Sequence, residues 1–279
     1  MGRPARPAPR PLSAVSEASW PGRSRAACAF TFDLDAETLW LARGVSEPVA
    51  LSQGRYGVLE GLPRILDLLR GARLRASFFI PAWVAERYPE AVRAVVADGH
   101  EVGSHGDVHE RVSELDAVQE EKVLGRSREV LERLTGRRPV GYRAPAWQFS
   151  ERTVALVTRM GYDYSSNMMD RLTPYLHPPV EGRALVELPV SWVLDDAPYF
   201  LFTGQRSLQP PGPVLEGWID EFDGIVGAGG LAVFTFHPQL IGRPGRLAAL
   251  RTLVDHVQRT PGVWVAALED VSRHWRGRS

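Results

Sequence analysis

The chain has 279 residues, 44% of them hydrophobic, enough to bury a substantial core as one large domain or two small ones. Lys plus Arg and Asp plus Glu balance at 33 each, so no net field draws in nucleic acid or an anionic membrane surface. The lone cysteine, Cys28, excludes an internal disulfide framework and a cysteine-rich zinc site, and no apolar run approaches the roughly 20 residues of a membrane span.

Residues 1–24 are rich in Pro and Arg and lack the apolar stretch of a secretory signal. They read as a flexible arm ahead of a single domain over 25–279, and a cytoplasmic protein is expected. From there, apolar or β-branched runs recur at 28–34, 76–80, 101–104, 141–144, 162–165, 185–190, 231–236 and 263–266. Helical patterns fill the gaps. Val58, Leu59, Leu62, Ile65, Leu66 and Leu69 form one stripe at helical spacing, and Val118 to Leu134 a second that Gly136 ends. A third helix is expected from the N-cap Ser150 to Gly161, with others through 214–226, 246–257 and 268–275. Strands alternating with helices imply parallel strands joined by crossovers. The count fits a distorted (β/α) barrel of seven or eight mostly parallel strands, with a doubly wound open sheet as the alternative.

Unusual polar residues fall at the ends of these runs. Asp33 and Asp35 end the first, His105 and His109 follow the third, Arg143 ends the fourth, Asp195 and Asp196 follow the sixth, and His237 ends the seventh. In a parallel barrel such strand ends open onto one face, where the active site is built. Asp33 and Asp35 project to the same side of a strand and raise each other's proton affinity unless a cation joins them. His105 and His109 are four apart, a spacing that brings two rings to one face of a helical turn, although Gly103 and Gly106 point to an irregular turn. Two imidazoles and a carboxylate suit zinc or a similar divalent ion and leave positions open for water and substrate. Arg143 can hold a carboxylate as a bidentate partner, and His237 is a candidate acid whose pKa a neighbouring carboxylate would raise.

With TFDLD, SHGDVH, RAPAW, SWVLDD and FTFHP in this order from about residue 28 to 267, the chain resembles the polysaccharide deacetylase superfamily, also called the NodB-homology fold or carbohydrate esterase family four. The resemblance implies a distorted (β/α) barrel with Asp35, His105 and His109 as metal ligands. It further implies Asp33 as the base toward water, His237 as the acid toward the departing nitrogen and Arg143 as the group that positions Asp33. One of Asp195 and Asp196 would support His237, with the choice open. Leu34 separates aspartates that are adjacent in most polysaccharide-active members. The FDLDAE, GYRAPAW, LDD and FHPQ segments are most similar to a subgroup containing an intracellular peptidoglycan-deacetylase-like protein, cyclic imide hydrolases and metal-independent allantoinases.

These residues imply a metal-dependent hydrolase of a C–N bond, zinc being the first expectation with cobalt, nickel or manganese open. Trp40, Trp147, Trp192 and Tyr199 can wall a small pocket or anchor loops, and a backbone amide near Tyr142 can face a developing oxyanion. A polymer needs a long groove, and a cell-wall polymer needs export. A small-molecule amide or cyclic imide is therefore the expected substrate, with an amino sugar, chitooligosaccharide or peptidoglycan-type glycan as the alternative. Neither nucleic acid nor membrane is an expected partner, and a homo-oligomer is implied by related small-substrate members. A non-catalytic binding protein on the same scaffold is the reading from another class, against which the intact polar set stands.

Overall fold

Strand β1 (Ala26–Asp33) shows how the sequence builds the architecture. Alternate residues of a strand face opposite ways. Ala26, Cys28, Phe30 and Phe32 enter the cluster shared with the surrounding helices, while Ala27 and Ala29 face the cluster enclosed by the sheet. Small inner residues let the sheet curl. The outer aromatics interlock across strands, Phe30 stacking on Phe234 at 5.4 Å and Phe32 on Phe78 at 5.0 Å between ring centroids.

The computed structural model describes residues 20–202 and 208–277. The further strands are β2 (Ser77–Ile80), β3 (Glu101–Ser104), β4 (Gly141–Tyr142), β5 (Tyr164–Ser165), β6 (Tyr175–Leu176), β7 (Val186–Glu187), β8 (Leu231–Phe236) and β9 (Val263–Val265). Their order is β6-β7-β5-β4-β3-β2-β1-β8, with β9 beside the start of β1. Every pairing is parallel except β6 with β7. The late strand β8 thus lies beside β1, as ring closure requires, and among the described residues no switch point of a doubly wound sheet occurs. A single parallel bridge from Asp195 to Thr235 narrows the gap between the free edges. The fold is a distorted, incompletely closed (β/α) barrel.

Departures from the expected elements have local causes. The run 185–190 shortens to Val186–Glu187, because Leu188 and Val190 bond instead to the carbonyls of Ser165 and Met168. The antiparallel β6 spans two residues, too few to show a period. The helix expected from Ser150 starts at Thr153, since the Ser150 hydroxyl turns back to accept from the Arg152 N–H. The 118–134 stripe forms the helix Ala117–Thr135, closed by an Asp116/Gln119 capping box and by Gly136 at φ +69°. Residues 1–19 of the expected arm lie outside the described residues. Trp20 is buried against Trp264 and Trp275 and donates to the Gly229 carbonyl at 3.0 Å, so the packed body already includes it.

One helical path serves the site directly. Pro48–Tyr56, a π-turn at Gly57–Gly61 and Leu62–Ala72 run on without a break. Gly54 and Gly61 press against the Ala36 and Pro238 carbonyls, where an added Cβ would lie at 2.4 and 2.2 Å. Those contacts pin the loops just beyond Asp35 and His237.

Candidate active site

Asp33 ends β1 on its inner face, two residues beyond Thr31. Arg143, wholly buried one residue after β4, donates from one nitrogen, Nη1, to Asp33 Oδ1 and Thr31 Oγ1, both at 2.8 Å. Its other nitrogens reach Ser166, at 3.0 Å to Oγ and 3.4 Å to the carbonyl, and its plane lies 4.2 Å over the Phe79 ring. The guanidinium is held on every side, so the Asp33 carboxylate is fixed by one oxygen while the residue lines the cavity. Thr31 and Ser166 were not legible as site residues, although the two-residue offset from Asp33 marks Thr31 as lying on the same face.

His105 follows β3. Its Nδ1 lies 2.8 Å from the Arg143 carbonyl, which can only accept, so the proton sits on Nδ1 and the Nε2 lone pair faces Asp35. Nε2 is 3.5 Å from Asp35 Oδ1. His109 Nε2 approaches Asp35 Oδ2 at 3.9 Å. The two rings meet edge to face at 5.3 Å. No helical turn brings them together. Gly106 at φ +73° and His109 at φ +61° form an irregular turn, stitched by the Glu110 carboxylate accepting from the Asp107 and Val108 N–H groups.

Asp35 is fully buried. Burial pushes its carboxyl up to about 7, with Asp33 adding to the rise and His237 opposing it. His105 and His109 are pushed down by burial, and for His109 also by His105, His237 and Arg43. Neutral imidazoles are the form that binds a metal ion. Asp35 Oδ1 and His105 Nε2 are buried without a hydrogen-bond partner among the described residues, a condition proteins avoid unless something else satisfies the atoms. One ligand atom each from Asp35, His105 and His109 lies within 4.8 Å of the others. The donor set therefore fits a divalent cation. Asp195, Asp196 and His237 cluster as tightly, but their polar atoms are largely paired among themselves and with backbone N–H groups.

His237 is the third imidazole. Its Nδ1 lies 2.6 Å from Asp196 Oδ1 and 3.7 Å from Asp195 Oδ1, so the nearer partner is Asp196, which also accepts the His237 backbone N–H. Burial opposes charge on the ring, yet Asp196, Asp195 and Asp35 together push its pKa well up. Its Nε2 sits 3.7 Å from Asp35 Oδ2. Gln239, two residues on, donates to that same oxygen at 3.4 Å.

Above these groups opens a cavity of about 550 Å³ lined by Asp33, His105, His109, Asp195 and His237. Trp147 and Trp192 wall it, 4.4 Å apart edge to face. Ala146 and Trp147 hold left-handed φ values of +52° and +53°, strain that non-glycine residues carry mostly at functional sites. Trp40, Tyr142 and Tyr199 do not line it. Tyr142 alternates with the inward Arg143 and stacks outside on Phe149; Trp40 is buried beneath its loop; Tyr199 packs edge-on against Trp218.

The sequence model for polysaccharide deacetylase matches residues 55–165. A peptidoglycan deacetylase of Helicobacter pylori is 34% identical over 269 residues, covering 85% of this chain and 92% of the relative. The chain belongs to the polysaccharide deacetylase family. Solved structures agree with this family placement. One described as a polysaccharide deacetylase from Mycobacterium smegmatis is 38% identical, covers 96% of both chains and superposes with a TM-score of 0.89. Puue allantoinase is 26% identical, covers 97% of this chain and 98% of its own, and has a TM-score of 0.84. As a polysaccharide deacetylase family member, the protein is a hydrolase of carbon–nitrogen bonds other than peptide bonds. The deacetylases of this family are metal-dependent, which agrees with the orphaned donors of Asp35 and His105. Among the described residues no helix is long and apolar enough to cross a membrane.

Proposed function

We propose that the protein is an N-deacetylase acting on an amino-sugar amide of the peptidoglycan type. The observation that carries the chemistry is the opposition of two different groups across one candidate metal-ligand set: Asp33 clamped by Arg143, and His237 hydrogen-bonded to Asp196. The likeness to the Helicobacter pylori peptidoglycan deacetylase, spanning nearly all of that relative, supports a glycan substrate over the cyclic imide expected first from the sequence.

Asp35, His105 and His109 would hold the divalent ion, which when bound acts as a Lewis acid toward the acyl oxygen and makes water more acidic. Asp33 takes a proton from the attacking water as its oxygen forms a bond to the acyl carbon. Arg143 holds the carboxylate in place for that transfer, so little reorganisation is needed. The C–N bond then breaks with its electron pair leaving on nitrogen. His237 donates the proton from Nε2 to that nitrogen, and Asp196 stabilises the imidazolium until it does. Acetate and a free amine leave. Trp147 and Trp192 offer flat apolar surface to the less polar face of a sugar ring.

A second reading, hydrolysis of a small cyclic amide, is favoured by the likeness to allantoinase over almost the whole chain. Acetate release from N-acetylated glycan fragments, measured beside ring opening of cyclic imides by the zinc- or cobalt-loaded protein, separates the two. Turnover of the imides alone would refute the glycan proposal.

A further inference from the structure

Among the described residues, Arg43 is the one lysine or arginine that lines the catalytic cavity. Its backbone position is fixed by local chain chemistry. After the short helix Thr38–Leu41, the Val45 N–H reaches back to the Trp40 carbonyl at 3.1 Å and the Gly44 N–H to Leu41 at 2.9 Å, with Gly44 at φ +73°. This is the paired bonding of a Schellman turn, which glycine permits. Arg43 therefore projects from a pinned turn a few residues beyond Asp35.

Its guanidinium makes no hydrogen bond or ion pair with any other described residue. Elsewhere arginines find acids readily: Arg75 pairs with Glu269 and Asp270, Arg126 with Glu86 and Asp107, and Arg143 with Asp33. Arg43 shares a cavity lining with Asp33 and Asp195 and pairs with neither. A surface arginine with no task could simply be solvated. Arg43 is itself exposed, but it lines the reaction cavity, and its charge reaches His109. Asp33 and Asp195 also line that cavity, and a carboxylate ligand set beside them gains from a cation within reach. A free planar fork suits a carboxylate, which it can grip through two parallel hydrogen bonds.

We propose that Arg43 is a specificity residue that selects acyl amides bearing a carboxylate near the scissile bond. The inference takes from the proposed function only that an acyl amide occupies this cavity. Two carboxylate sources are open to test, a sugar acid carrying its carboxylate on an ether arm and an N-acyl amino acid.

The test uses matched ligands that differ only in charge: N-acetylmuramic acid against its lactyl carboxamide, and an N-acetyl amino acid against its amide. Affinities are read by calorimetry on the zinc-loaded Asp33→Asn protein, so the answer does not depend on turnover. The carboxylate member of at least one pair should bind about tenfold tighter or more. Arg43→Gln should erase that preference, and Arg43→Lys should keep part of it. The pair that responds names the source. Equal affinities within both pairs, no binding of either, or a preference that survives Arg43→Gln overturns the inference. Acetate release by the unmutated protein is followed separately. Its absence alongside an Arg43-dependent preference would sink the deacetylase reading and leave the specificity role standing.

Discussion

Replacing Arg143 by Met leaves the Asp33 carboxylate almost fully buried without its cationic partner, and the consequence can be worked from the contacts. The Nη1–Oδ1 distance is 2.8 Å, with the arginine wholly buried. At an effective dielectric near 20 the gross attraction is roughly 6 kcal/mol. Much of it offsets the desolvation of both groups, and removing one partner of a buried pair typically destabilises by about 3–5 kcal/mol. Arg143→Met should therefore lower unfolding free energy by about that amount in urea melts of metal-free protein. Adding Asp33→Asn to the same chain removes the stranded charge and should restore a large part of the loss, giving a coupling energy of about 2 kcal/mol or more. Hydrogen bonds to Thr31 and Ser166 are lost in either background, so the coupling isolates the carboxylate. A single-variant loss below about 1 kcal/mol, or two additive substitutions, would refute the clamp.

Three further outcomes follow from particular contacts. Asp196→Asn should lower kcat by roughly 10²- to 10³-fold and move the alkaline limb of the pH–rate profile to lower pH, because the His237 imidazolium loses its nearest carboxylate. Asp195→Asn, 3.7 Å away, should do less. Gly61→Ala should destabilise by about 1–3 kcal/mol, since its Cβ would lie 2.2 Å from the Pro238 carbonyl, whereas Gly71→Ala meets open space and should not; thermal melts compare them. Glu101, buried at the far end of β3, is pushed up from 4.5 to about 7 by burial and by Glu269, against donors from Ser77, Tyr164 and the Glu269 N–H. A raised folded pKa means a contribution complete below pH 4.5 and lost as pH rises through about 7, so Glu101→Gln should remove roughly 3 kcal/mol of the stability decline over that interval. A decline of unchanged size in urea melts across pH 4–8 would contradict it.

The barrel and the floor of the site were legible because both rest on short-range rules. Period-two alternation puts Asp33 on the inner face, and strand ends in a parallel sheet share one rim, so Asp35, His105, Arg143, Asp196 and His237 could be brought together without coordinates. What escaped depends on loop conformation. The convergence of His105 and His109 comes from left-handed residues and from the Glu110 carboxylate, not from a helical repeat. Whether Trp40 or Trp147 reaches the cavity is set by a turn after each motif, and spacing carries no sign of it. The choice between Asp195 and Asp196 turns on about one ångström. The antiparallel β6 and the placement of β9 beside β1 are tertiary pairings of two or three residues, below what any periodicity resolves.

The most direct test of the account is to titrate zinc into the unmutated, Asp33→Asn and His105→Ala proteins and follow acetate release from the same samples. One equivalent should bind to the first two and not to the third, with turnover lost by a factor on the order of 10³ in Asp33→Asn despite its full metal content. Full turnover in metal-loaded Asp33→Asn, or undiminished zinc binding by His105→Ala, would contradict the division between the metal ligands and the base.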